Sequence, residues 1–337
     1  ADSIIITGII DESIEQTAAV TVKRTVPDMD YVTQLNNRIW GCSSEKHEIY
    51  ACKQGDPKNW NVFAGIATDS YALTIGSAGD FTGACSHLGY VIFFKEDSIH
   101  KIYGSKPANY QLTDLNARGV EKGSEKSLVV VNETLFYKSR WDVCAYASAL
   151  PQSISAVFGQ HDYHSAAAGA LEGKYYVSMQ RDDGVWKLLV YDSERGTWHL
   201  EDDTHAIYFA AWDGELYYLD EDGTMYAVAG TEGTPESRVP WMAQFGEIGL
   251  ELPESKYVSR ISMRFELDEG ALMRVEVQYD AETERWQEVW RTSAPRRRAY
   301  VVPILPRRCD AMRIRLTGYG GMRFYSITRT IEQGGDA

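Results

Sequence analysis

Two rhythms of apolar and polar residues divide the chain. From Tyr257 onward, Ile261, Met263, Phe265 and Leu267, then Met273, Val275, Val277 and Tyr279, then Met312, Ile314 and Leu316 recur at every second place. Ser262, Arg264, Glu266, Arg274, Glu276, Arg313 and Arg315 fill the gaps. A period of two sends successive side chains to opposite faces of a strand. The stretch therefore predicts about six strands in an antiparallel, jelly-roll-like β-sandwich, apolar within and polar outside.

Before Tyr257 the apolar residues come in aromatic hairpins instead. The phrases NNRIWGCSSEKHEIYACK, LGYVIFFKEDSIHKIYG, NETLFYKSRWDVCAYA, EGKYYVSMQRDDGVWKLLVYD and DGELYYLDEDGTMYAVAG each give a small turn, an aromatic strand, a second turn and another strand. Aligned on Arg38, Tyr90, Thr134, Lys174 and Glu215, they lie 52, 44, 40 and 41 residues apart. Propeller repeats have periods of about 40–50 residues. GDPKNW (Gly55 to Trp60) returns with one insertion as GSKPANY (Gly104 to Tyr110), a turn leading into an aromatic residue. Small-residue runs such as SAAAGALEG and YFAAWDG precede the aromatic strands and suit close approach of backbones near an axis.

No window of about twelve residues keeps a helical apolar stripe, so the expected fold class is all-β. Residues 1–240 are expected to form a β-propeller of about five or six four-stranded blades, and 241–337 the sandwich. GTEGTPESRVP, Gly230 to Pro240, reads as a linker or long blade loop, and a boundary fits anywhere from Gly230 to Glu254. SIIITGII and TAAVTVKR, before Val26, are strand-like and suit either completing a blade or closing a ring.

Length and composition sharpen this picture. At 337 residues the chain suits two domains, each with its own core, and Tyr (21) and Trp (9) are abundant. Five cysteines, Cys42, Cys52, Cys85, Cys144 and Cys309, stand apart without a C-x-x-C pair, so they read as reduced and buried. No apolar run approaches the roughly 18 residues of a membrane span. The start, Ala1 with no basic or cleavable leader pattern, reads as that of a processed or truncated form. The formal charge of −14 argues against general nucleic-acid binding. From Trp241 onward the charge is +1, leaving −15 for the residues before it.

Candidate chemistry is sparse. YDSERGTW (Tyr191 to Trp198) resembles a kelch strand–turn–strand and, less well, the aspartate box of sialidases. YDAETERW (Tyr279 to Trp286) repeats it in the sandwich region, so a general hairpin device is the simpler reading, with Asp capping the turn and Trp covering it. His161 and His164 in HDYH lack further ligands nearby, and LEDDTH and DEDG lack a calcium-loop pattern, so no metal or cofactor is expected. Inner-strand candidates such as GACSH, SLVVV, AAAGA and YFAAW carry few acids, unlike the paired carboxylates of glycosidases. Nucleophile-elbow, dinucleotide and Walker motifs are missing too, so the chain is not expected to be an enzyme. The sharpest electrostatic feature is PRRRAY with PRRCD, whose Arg296, Arg297, Arg298, Arg307 and Arg308 bracket one strand. They suit a protein interface, contact with nucleic-acid phosphate or, most plainly, loop charge balancing an acidic neighbour.

LNNRIWGCSSEKHEIYACKQGDPKNW, LGYVIFFKEDSIHKIYGSKPANYQL, KGSEKSLVVVNETLFYKS and SITRTIEQGGD together resemble virion structural proteins of tailed bacteriophages and prophages. The similarity is to the β-propeller proteins of the tail hub and packaged-DNA stabilisation group. It implies a non-enzymatic virion protein of the neck or tail, made in the host cytoplasm and acting in assembly as a homo-oligomer or with other virion proteins. The alternatives are a glycan-binding or receptor-recognition protein of a tail, for which abundant Tyr and Trp would stack on sugars, and a propeller glycoside hydrolase.

Overall fold

Five equivalent turns organise the first part of the computed structural model, which describes residues 26–159, 161–228, 240–249, 256–280, 285–293, 296 and 298–333. Asn36–Asn37, Leu88–Gly89, Asn132–Glu133, Glu172–Gly173 and Asp213–Gly214 all have positive φ at both residues. That pair of conformations defines the two-residue hairpin turn whose twist matches that of paired strands. Each turn is followed by one of the five aligned positions, Arg38, Tyr90, Thr134, Lys174 and Glu215, so the sequence repeat is a structural one.

The first sheet holds β1 (Tyr31–Leu35), β2 (Arg38–Ser43), β3 (Glu48–Ala51) and β4 (Tyr71–Thr74), antiparallel and in chain order. The second holds β5 (Gly83–His87), β6 (Tyr90–Phe94), β7 (Ser98–Tyr103) and β8 (Gln111–Asn116), again in order. In the third are β9 (Val129–Val131), β10 (Thr134–Lys138), β11 (Val143–Tyr146) and β12 (Gln152–Ser153). The fourth has β13 (Tyr163–Leu171), β14 (Lys174–Arg181), β15 (Trp186–Asp192) and β16 (Thr197–Asp202). The fifth has β17 (Tyr208–Trp212), β18 (Glu215–Leu219) and β19 (Met225–Ala227). Four strands were expected in every unit; among the described residues the fifth sheet has three. The strand-like runs before Val26 lie outside the described residues.

The second strands of the first four sheets are buried on both faces, which explains their continuous apolar runs, whereas β18 is mostly half-buried. In β6, Val91 and Phe93 pack with Trp40, Cys42 and Ile49 of the first sheet. Ile92 and Phe94, facing the other way, pack with Leu135 and Tyr137 of the third. Phe136 of β10 then meets Tyr175, Val177 and Met179 of the fourth sheet, and Tyr176 meets Phe209 and Leu216 of the fifth. Sheet therefore packs on sheet in chain order. Among the first strands, β1 lies beside β5, β9 beside β13 and β13 beside β17. The small-residue run of β13 permits this: a Cβ on Gly169 would lie 2.7 Å from Phe209 Cβ and 2.8 Å from Leu216 Cδ1.

The chain divides into two compact units between Ala229 and Gly230. In the second, β20 (Pro240–Gln244), β25 (Met312–Tyr319), β22 (Leu272–Tyr279) and β23 (Gln287–Thr292) form one antiparallel sheet in that order. The other sheet runs β24 (Arg298–Val302), β21 (Lys256–Leu267), β26 (Met322–Gln333). The alternating Ile261, Met263, Phe265, Met273, Val275, Val277, Met312, Ile314 and Leu316 make the core between them. The described residues give seven strands where about six were expected. The additional one is β20, which pairs Pro240 with Tyr319 and so binds the end of the expected linker into the sandwich. The architecture is all-β throughout, blade-like antiparallel sheets followed along the chain by a β-sandwich.

Candidate functional site

The arginines singled out from the sequence do not form one patch. Arg298 opens β24 and pairs with Phe265 in β21. Arg307 and Arg308 precede Cys309, which bridges to Lys256 at the start of β21. Nine residues of strand separate these sites, roughly 30 Å at about 3.3 Å per residue. Each group is anchored locally: the Arg298 guanidinium lies 4.6 Å from the Tyr300 ring centroid, and that of Arg307 lies 5.5 Å from Tyr279. The Tyr300 hydroxyl donates to the Arg296 carbonyl at 2.8 Å. Arg297 lies outside the described residues.

The histidines of HDYH also part company. His161 Nδ1 is 3.4 Å from Asp182, whereas His164 Nδ1 is 2.8 Å from Glu121. In YDSERGTW, Asp192 Oδ1 accepts the N–H groups of Glu194 (3.1 Å) and Arg195 (3.0 Å), capping the turn as expected. Trp198 donates its indole N–H to the Ile154 carbonyl at 2.7 Å and packs on Phe158, tying the fourth sheet to the third. Its sandwich counterpart differs, since Asp280 accepts the N–H of Asp310 (2.5 Å) and Ala311 (3.1 Å) across the unit. Asp220 of DEDG caps its own turn through the N–H groups of Asp222 and Thr224. All five cysteines are free; four are buried and Cys85 is partly so.

A cleft of about 380 Å³ between the third and fourth sheets gathers more chemistry than any of these. Three segments build it: the β8–β9 connection with Arg118, the β10–β11 turn with Trp141 and Asp142, and the β12–β13 connection with His161, Asp162 and Tyr163. Beneath it, the Lys138 side chain is 2% exposed and its ammonium lies 3.7 Å from Glu121 Oε2. Ser124 donates to the same oxygen at 2.9 Å, and the Lys138 ammonium also donates to the Ser139 carbonyl. Burial holds the Lys138 amine below its ordinary value, against the pull of Glu121 and Asp142.

Asp142 is the hinge of the wall. Its Oδ1 accepts from Ser139 and, at 3.3 Å, from the Cys144 thiol, while Oδ2 pairs with Arg118. Burial, the largest influence, pushes the carboxyl up. Hydrogen bonds from Ser139, Ser153 and Cys144 together with the Arg118 charge outweigh it, and the carboxyl is held below its usual value. The Cys144 thiol is pushed up to about 12, chiefly by burial. It stays protonated near neutrality and is no nucleophile. The polar floor is thus locked, while Trp141 at the mouth is 70% exposed. Sequence reading passed over this site, although the aligned hairpins held the signal: Trp141 stands where the second unit has Asp97.

No protein-family model matches the chain, and no curated protein does. Solved structures give distant likenesses. BamB from Moraxella catarrhalis is 9% identical over 87% of this chain and 83% of its own, with a TM-score of 0.37. The exo-beta-1,3-galactanase of Phanerochaete chrysosporium, solved with galactose, is 10% identical over 87% and 95%, with a TM-score of 0.32. Kluyvelomyces marxianus Hsv2 is 13% identical over 77% and 84%, with a TM-score of 0.36. At these scores the likenesses assign neither a family nor a function.

Proposed function

We propose that this chain is a non-enzymatic virion component of a tailed phage, in the neck or tail, that acts in assembly by binding its neighbours. One observation carries the non-enzymatic part. The five first strands, YVTQL, GACSH, VVV, YHSAAAGAL and YFAAW, contain no Asp or Glu. Three of the four successive pairs of these strands are neighbours, and in a ring they are where a propeller hydrolase would present convergent carboxylates. They expose Val32, Val130, Tyr208 and Trp212 instead, which suit contact with another protein surface.

The phage setting rests on the resemblance of the repeat phrases. In this reading the sheet series closes into a propeller ring, a rigid disc. The arginines at the two ends of β24 then serve as separate charged contacts on the sandwich, where charge guides encounter more than it sets affinity. The test is a screen of the purified chain against chromogenic glycosides and esters. No turnover is expected; turnover abolished by replacing a single Asp or Glu would overturn the reading.

A further inference from the structure

We infer that the cleft under Trp141 is a carbohydrate-binding site that takes a neutral pyranose. This inference stands independently of the assembly reading. The fold does not require an aromatic ring there. In the second sheet the equivalent turn is closed by Lys95 N–H donating to the Ser98 carbonyl at 2.9 Å, and in the third by Ser139 N–H donating to Asp142 at 2.8 Å. Position for position, Lys95, Glu96, Asp97 and Ser98 become Ser139, Arg140, Trp141 and Asp142. The cleft beside the earlier turn has polar and small walls with no ring at all. Trp141 therefore occupies a place where the repeat is content with a carboxylate, and it buries little there.

The chemistry around the indole points the same way. The Arg140 guanidinium lies over one face of the ring, 5.1 Å from its centroid, which steadies the ring plane. Across the cleft stand donors and acceptors of both kinds. Arg118, 54% exposed, uses one N–H on Asp142 and keeps other donors. His161, 55% exposed, meets Asp182 only at 3.4 Å through Nδ1. Asp162 is exposed and accepts, and the partly buried Tyr163 completes the wall. A flat apolar platform beside mixed donors and acceptors matches a sugar ring, with C–H groups on one face and hydroxyls around the rim. The volume, about 380 Å³, lies at the small end of ligand sites, and suits a terminal sugar or a short saccharide.

Charge selects between this ligand and the other planar class, a nucleotide stacked on Trp141. Asp142 offsets the charge of Arg118, Lys138 is buried against Glu121, and Arg140 lies over the indole, so the charge within the cleft is largely balanced. Asp162 adds a carboxylate at the mouth, in a chain of net charge −14. An anionic ligand is repelled and a neutral polyol is not.

The experiment is saturation-transfer NMR and tryptophan fluorescence titration of the full chain. The probes are methyl glycosides of glucose, galactose and mannose, N-acetylglucosamine and an array of bacterial surface oligosaccharides, with AMP and inorganic phosphate as anionic comparators. At least one neutral saccharide is expected to bind. Trp141→Ala should weaken it tenfold or more, and Asp162→Asn should weaken it severalfold. Trp212→Ala, which removes an equally exposed ring elsewhere, should leave it unchanged. Melting curves of the variants should overlay the parent, because both side chains are exposed. Binding of no saccharide, binding indifferent to Trp141→Ala and Asp162→Asn, or preferential binding of AMP or phosphate would each overturn the proposal.

Discussion

His87 shows how one buried residue makes this fold sensitive to acid. It ends β5, is 6% exposed and lies 6.4 Å from the Tyr146 ring, so burial holds its imidazole below the ordinary value, against a backbone hydrogen bond with Ala147. The native chain therefore binds fewer protons here than the unfolded chain as pH falls through about 6.5. Its contribution is complete above that pH and is lost as pH drops towards the lowered native value. Melting temperatures from pH 7.5 to pH 5 should fall for the parent and fall less steeply for His87→Leu; parallel slopes would contradict the assignment. Other residue-scale features were hidden in the sequence. Arg38 looks like a surface residue, yet it is 2% exposed and donates to the carbonyls of Cys52 (2.7 Å), Ala67 (2.7 Å) and Asp69 (2.5 Å). Only the fold brings those three acceptors together. Glu133, at φ +63°, takes a conformation that favours Gly or Asn, so turn propensity did not point to it.

At the scale of elements, the hairpins were legible because two independent signals coincided. Aromatic and β-branched runs mark strands, and five short turns recur just before Arg38, Tyr90, Thr134, Lys174 and Glu215, where five strands begin. The sandwich strands were equally plain, since one wet and one dry face leave a period of two. What stayed hidden was the five-residue β20, too short to show a period and beginning where a linker was expected to end. The cleft was hidden for a related reason: its walls come from three connections far apart in sequence. Packing between elements gives a direct check. Gly169→Val should drive a branched side chain into Phe209 and Leu216 and destabilise the first unit by about 1–3 kcal/mol. Calorimetry should show its transition lowered by several degrees while the sandwich transition stays in place. An unchanged first-unit transition would mean that the fourth and fifth sheets do not pack this closely.

At the scale of the whole molecule, the five sheets pack in chain order through buried rings, and their first strands carry no acid. The second part of the chain is nearly neutral and the first acidic, +1 against −15 when divided at Trp241. The acid-free first strands, with the exposed Val32, Val130, Tyr208 and Trp212, are why assembly is the proposed role, and the Trp141 cleft is proposed as a site of recognition. The most direct measurement is quantitative mass spectrometry of density-purified phage particles, produced with the gene intact and with the gene deleted. The account predicts peptides of this chain at a fixed copy number per particle, and particles with defective necks or tails when it is deleted. Its absence from purified particles, with deletion particles normal in form and infectivity, would contradict the account.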